Sequence, residues 1–128
     1  MPTKKEIKRL EKLADIKKLK AASDFSKKRD ENRCVICGAT KMLNAHHIIP
    51  REHKELRYNT VNLISLCPNH HQFSRQISAH NNSFAFYLWF QQYRPKQYAK
   101  LLERVGVTKE GLFIIRKKVN PLFNIDIK

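Results

Sequence analysis

The sequence predicts an α+β fold: two short strands and a helix, a ββα unit, carrying a metal knuckle between helical flanks. Three observations predict it. Cys34-x-x-Cys37 is answered, after 29 intervening residues, by Cys67-x-x-His70. Between these pairs lie two short apolar runs, residues 42–50 and 61–67, of strand length. Outside them the spacing turns helical, rich in Lys and Arg before Cys34 and in aromatics after residue 82.

With 128 residues and 15.1 kDa there is room for one domain. It reads as a basic helical arm (1–33), a ββα module (34–80) and a helical C-terminal extension (81–128). The 26 Lys and Arg outnumber the 11 Asp and Glu, for a net charge of +15. Such a surface attracts polyanions, above all nucleic acid, although charge alone does not separate DNA from RNA. No apolar run approaches the roughly 20 residues of a membrane span. The charged start, MPTKKEIKRLEK, has no apolar signal-peptide core. The expectation is a cytoplasmic protein without a membrane partner. In a reducing compartment three cysteines, two of them in Cys-x-x-Cys, point to a metal rather than a disulfide.

In the arm, Ile7, Leu10, Leu13, Ala14 and Ile16 fall near three-and-four spacing, which predicts an amphipathic helix over 4–20. Its apolar stripe is expected on the domain and its charges along a phosphate backbone. The arm holds twelve basic and six acidic residues. Its polar end, AASDFSKKRDENR, either continues the helix or forms a linker.

The knuckle follows. Gly38 can adopt the backbone that turns both sulfurs of CVICG toward one ion. Cys-x-x-Cys also suits a redox pair, but no βαβ pattern surrounds it. Zinc takes four N/S ligands, and Cys34, Cys37, Cys67 and His70 supply three thiolates and an imidazole. In so small a core, loss of the structural Zn2+ should unfold the domain.

Between the knuckles the pattern is strand, loop, strand. Residues 42–50 end at Pro50; residues 61–67 alternate as a half-buried strand does. As an antiparallel hairpin they send His46 and His47 to opposite faces, so the two imidazoles do different work. Pro68 opens a predicted helix, NHHQFSRQISAH, with Arg75 one turn after His71 on the same face.

Read together, C-x-x-C, AHHIIP, NLISLC and the closing His-His resemble the HNH endonucleases of the ββα-metal superfamily over roughly residues 34–80. In size and basic flanks the chain is similar to small stand-alone HNH nucleases of phages and mobile elements. It departs in one place, since zinc-bearing members usually close the knuckle with a second Cys-x-x-Cys where this chain has His70.

The resemblance implies roles. His46 and His71 would bind a catalytic divalent ion, Mg2+, Mn2+, Ni2+ or Zn2+. His47 would be the general base, a task suited to a free imidazole, which titrates near neutral pH. Asn62 would tie down the inter-strand loop and so orient His47. The implied partner is DNA, double-stranded in the first instance, and the implied products are 5′-phosphate and 3′-hydroxyl ends. A monomer or a weak homodimer is expected. Arg51, Lys54, Arg57 and Arg75 are candidate phosphate contacts, His80 is a candidate extra ligand, and His53 reads as a surface histidine. The rival reading is a non-catalytic, zinc-stabilised nucleic-acid-binding protein.

Residues 83–93, SFAFYLWFQQY, are apolar nearly all round a helix, which predicts core. Pro95 starts a further helix that Gly106 stops. Thr108 can cap a helix through 111–119, although Phe113-Ile114-Ile115 suit a strand equally, and 120–128 read as an extended docking tail or a frayed end.

Overall fold

The computed structural model describes residues 1–105. The stop at Gly106, the element capped by Thr108 and the tail from 120 lie outside the described residues. The chain divides into two compact units, Met1–Phe86 and Tyr87–Lys128.

In the first unit, helix α1 spans Lys4–Arg29. Thr3 begins it with a capping box, its hydroxyl accepting from the Glu6 N–H while the Glu6 carboxylate accepts from the Thr3 N–H. Lys27, Lys28 and Arg29 sit in the last turn, where cations complement the helix dipole. The polar segment after residue 20 is therefore helix, not linker. The expected stripe is not packed: Ile7, Leu10, Leu13 and Ile16 are all exposed, and the buried positions of α1 are Ala22 and Ser26 near its end. That end is docked by polar bonds rather than by the stripe. The Arg29 guanidinium donates to the carbonyls of Thr60 (2.6 Å) and Leu63 (2.7 Å), and the Asp30 carboxylate accepts from the Ser65 N–H (3.0 Å).

Strand β1 (Asn44–His47) pairs antiparallel with β2 (Leu63–Leu66), with His46 opposite Ile64 and His47 opposite Leu63. Both are shorter than the apolar runs, because the chain bends at Ile48 after β1 and leaves the ladder at Cys67 after β2. All four residues of β2 are buried, not half-buried. Its outer edge is covered, since the Ser65 carbonyl accepts from the Val35 N–H (3.1 Å) and the Ser65 N–H is taken by Asp30. A strand capped along its free edge exposes no unpaired ladder groups.

The predicted helix over 69–80 does not form. Asn69–Phe73 make one wide turn, closed by the Ser74 N–H donating to the Asn69 carbonyl, and an irregular loop follows. Ser and Asn side chains compete with the helical ladder here. The Ser74 hydroxyl accepts from Gln76 and Ile77, the Ser78 hydroxyl accepts from Asn81 and Asn82, and the Asn82 amide donates to the carbonyls of Arg75 and Gln76. Arg75 therefore does not follow His71 by one helical turn; it is exposed in the loop.

Helix α2 spans Ser83–Tyr93, its first turn in the first unit and the rest in the second. It is not core on all sides. Phe86 and Phe90 are buried, whereas Phe84, Tyr87, Leu88 and Tyr93 are exposed. In the second unit Trp89 stacks on Tyr93, and Phe90 meets Tyr98 of helix α3 (Pro95–Arg104) edge to face. Leu101 is the buried position of α3. No helix among the described residues is long and apolar enough to cross a membrane.

Candidate metal centres and their surroundings

The first knuckle is a tight turn in which the Cys34 N–H donates to the Ala39 carbonyl and the Gly38 N–H to the Cys34 carbonyl, both at 2.8 Å. Gly38 sits at φ +79°, a conformation any side chain would strain. The second knuckle starts at the end of β2, and the His71 N–H donating to the Cys67 carbonyl folds it. Cys37 Sγ lies 3.7 Å from Cys67 Sγ, and His70 Nδ1 lies 3.3 Å from Cys67 Sγ and 3.9 Å from Cys34 Sγ.

A tetrahedral ion with bonds of about 2.3 Å to sulfur and 2.0 Å to nitrogen spaces its ligand atoms by roughly 3.5–3.8 Å. The four atoms, all within 4.8 Å of one another, fit that spacing and can hold zinc. Their charges ask for a cation as well. Desolvation and the neighbouring thiols of Cys67 and Cys34 push Cys37 up to about 11. Cys67, against its own desolvation, is held below the ordinary thiol value by the His70 N–H and by the other two thiols. Three thiols this close do not ionise together unless a cation compensates them.

His70 and His71 diverge. While His70 turns to the thiols, His71 turns to His46 and His80, and these three rings offer nitrogens within 4.8 Å of one another. The ring centroids of His46 lie 5.2 Å from both His71 and His80, and His71 Nε2 is 3.1 Å from His80 Nε2. The loop that replaces the predicted helix makes this possible. It doubles back so that the Ala79 N–H donates to the His70 carbonyl and the His80 N–H to the His71 carbonyl. Nine residues apart in sequence, His71 and His80 become neighbours across two backbone hydrogen bonds.

Phe86 meets the His46 ring edge to face at 5.7 Å and walls one side of the cluster. Burial, reinforced by His71, His80 and His47, pushes His46 down to about 3, and burial and His80 lower His71. The His46 and His71 imidazoles are thus held neutral, the form in which an imidazole ligates a metal. The buried Nδ1 of His71 has no hydrogen-bond partner among the described residues. Three imidazoles converging, with no carboxylate in the group among the described residues, fit a divalent cation.

On the opposite face of β1, His47 Nε2 lies 2.9 Å from the Arg57 carbonyl. A carbonyl only accepts, so Nε2 is the donor, and in the neutral tautomer this leaves the lone pair on Nδ1. Asn62 is fully buried. Its amide donates to the carbonyls of Ile49 (2.9 Å) and Leu56 (3.2 Å), and its oxygen accepts from the Ile49 N–H (2.6 Å). It clasps both ends of the loop that leads to Arg57.

Residues 34–73 match the family model for HNH endonuclease. The match takes in both knuckles, the His46-His47 pair, Asn62 and His71, and ends before His80. A search of curated proteins and one of solved structures returned no match. The HNH match makes the module nuclease-like in kind.

Of the candidate phosphate contacts, Arg51, Lys54 and Arg75 are exposed, as is His53. Arg57 is not available in the same way. Its Nε and Nη2 donate to the two oxygens of Asp15 on α1, each at 2.7 Å, and Nη1 donates to the Arg51 carbonyl at 2.9 Å. That pair leaves no trace in the sequence: 42 residues separate the partners, and a lone Asp in a basic helix has no periodic signature.

Proposed function

We propose that this chain is a metal-dependent HNH endonuclease that hydrolyses phosphodiester bonds of double-stranded DNA. The observation that carries the reading is the convergence of His46, His71 and His80 at one end of β1, with His47 next to His46 in the strand and its Nε2 turned to the Arg57 carbonyl. His46, His71 and His80 would hold the divalent ion. When bound, that ion supplies electrostatic stabilisation of the scissile phosphate and of the departing 3′ oxygen. His47 Nδ1 takes the proton of the attacking water as its oxygen bonds to phosphorus and the P–O3′ bond breaks. The ends left are 5′-phosphate and 3′-hydroxyl. Asn62 orients His47 through the loop, Cys34, Cys37, Cys67 and His70 hold structural zinc, and Arg51, Lys54 and Arg75 meet phosphate on a surface whose net charge favours DNA. A third imidazole at the catalytic ion favours Mn2+, Ni2+ or Zn2+ over Mg2+, a hard ion that prefers oxygen.

Plasmid nicking tests this. Supercoiled DNA is incubated with the zinc-loaded protein in Mg2+, Mn2+, Ni2+ or EDTA. Expected are metal-dependent relaxation, its abolition in His47→Ala with folding and DNA affinity retained, and a loss of metal affinity in His80→Ala of at least the order of 10-fold. A wild type that shifts plasmid on a gel yet cuts in no metal would leave the non-catalytic binding protein as the correct reading.

A further inference from the structure

We propose that Asp15, on the N-terminal helix, is a positioning residue for His47: by gripping Arg57 and Tyr58 it fixes the backbone carbonyl that receives the His47 Nε2–H. The proposal rests on the nuclease reading for its consequence, though not for its geometry.

The chain of bonds is continuous. Asp15 Oδ1 and Oδ2 accept the two-pronged bond from Arg57 Nε and Nη2, and Asp15 Oδ1 also accepts from the Tyr58 hydroxyl. Arg57 Nη1 closes the loop on itself by donating to the Arg51 carbonyl. The main-chain oxygen of that same Arg57 then accepts from His47. Loop residues 50–58 have no regular secondary structure. Asn62 holds the loop at Ile49 and Leu56, one residue short of the carbonyl that matters. A two-pronged guanidinium–carboxylate bond fixes direction as well as distance. The Asp15 and Arg57 side chains are 27% and 23% exposed, which shelters the pair from the screening that weakens surface bridges.

The environment agrees. Asp15 is held well below the usual carboxylate range, first by Arg57 and then by Tyr58, and the Tyr58 hydroxyl is raised by Asp15 in return. The Lys18 ammonium lies 5.5 Å over the Tyr58 ring, a second contact of the same helix segment with the same loop. Upstream of Asp15 the apolar side chains of α1 are exposed. The helix is long enough to reach the loop, and Asp15 is where it takes hold.

The test reads His47 directly. In zinc-loaded protein without substrate, a 1H–15N spectrum should show the His47 Hε2 proton, protected from exchange by its bond to Arg57. Asp15→Ala should broaden or remove that signal while the zinc-site resonances persist, and Asp15→Glu should restore it in part. In nicking assays Asp15→Ala should lower kcat on the order of 10-fold with KM unchanged, as expected when a general base is present but less often aligned. An Hε2 signal as sharp in Asp15→Ala as in wild type, or a loss carried by KM alone, would overturn the proposal. Should Asp15→Ala fail to fold, Arg57→Lys keeps the charge but not the two-pronged bond, and carries the same expectation and the same overturning result. Because the resonance needs no substrate, an inert wild type would sink the nuclease reading and still leave the positioning role decided.

Discussion

Replacing Asn62 by Asp changes almost no volume and reverses the polarity of one atom. The wild-type amide nitrogen donates to the carbonyls of Ile49 and Leu56, while its oxygen accepts from the Ile49 N–H. In Asn62→Asp the accepting oxygen survives, but an oxygen replaces the donor and faces two carbonyl oxygens at a side chain with no exposure. Two hydrogen bonds are lost at about 1 kcal/mol each, and the stranded buried acceptors add roughly 1–2 kcal/mol more. We expect destabilisation of about 3 kcal/mol at pH 7, read from the urea midpoint at unchanged slope. The cost should also depend on pH. Burial raises the folded-state pKa of the introduced carboxyl above its unfolded value of about 3.9. The protonated form regains one donor, so the deficit relative to wild type should shrink as the pH falls from 7 toward about 5. A variant within about 0.5 kcal/mol of wild type, or a deficit that grows on acidification, would refute the clasp, since surface substitutions cost no more than that.

Other outcomes follow from the same bonds. Cys34→Ala, or chelation of wild type with a strong zinc ligand, should release one zinc per chain and collapse the far-UV and thermal signatures of the domain together. Structural zinc supplies about 10 kcal/mol or more of folding free energy in small modules, and a zinc-free chain with an unchanged melting curve would remove the structural role. Asp30 should contribute to acid sensitivity alongside Asp15. Its side chain is fully buried, and although burial raises its pKa, the Arg29 and Ser65 bonds outweigh that and leave it below the ordinary value. The folded pKa is the lower one, so the stabilisation is present above about pH 4 and lost as the pH falls through the folded value. Asp30→Asn should be less stable than wild type at pH 7 and lose less on acidification. Parallel stability curves for the two proteins between pH 5 and 2 would contradict this.

Much of the module was legible from residue order, because metal ligation and strand geometry leave local traces. Two short knuckles with a thiol-compatible spacing announce a shared ion, and adjacent histidines on a strand must part to opposite faces, which they do. Apolar periodicity was a poorer guide. In α1 it marked Ile7, Leu10, Leu13 and Ile16, all exposed, while Arg29 and Asp30 do the docking. In residues 74–82 the Ser and Asn side chains turned a helical pattern into a loop, and that loop carries His80 back to His71.

The ligand types, the two knuckles and the α+β class were set by the sequence itself, since each depends on residues close along the chain and on the chemistry of single side chains. The approach of His80 to His71 across the loop and the line from Asp15 through Arg57 to His47 were decided by the tertiary structure. Each of these joins groups whose separation in sequence bears no relation to their separation in space, and only the folded backbone specifies which lone pair meets which donor.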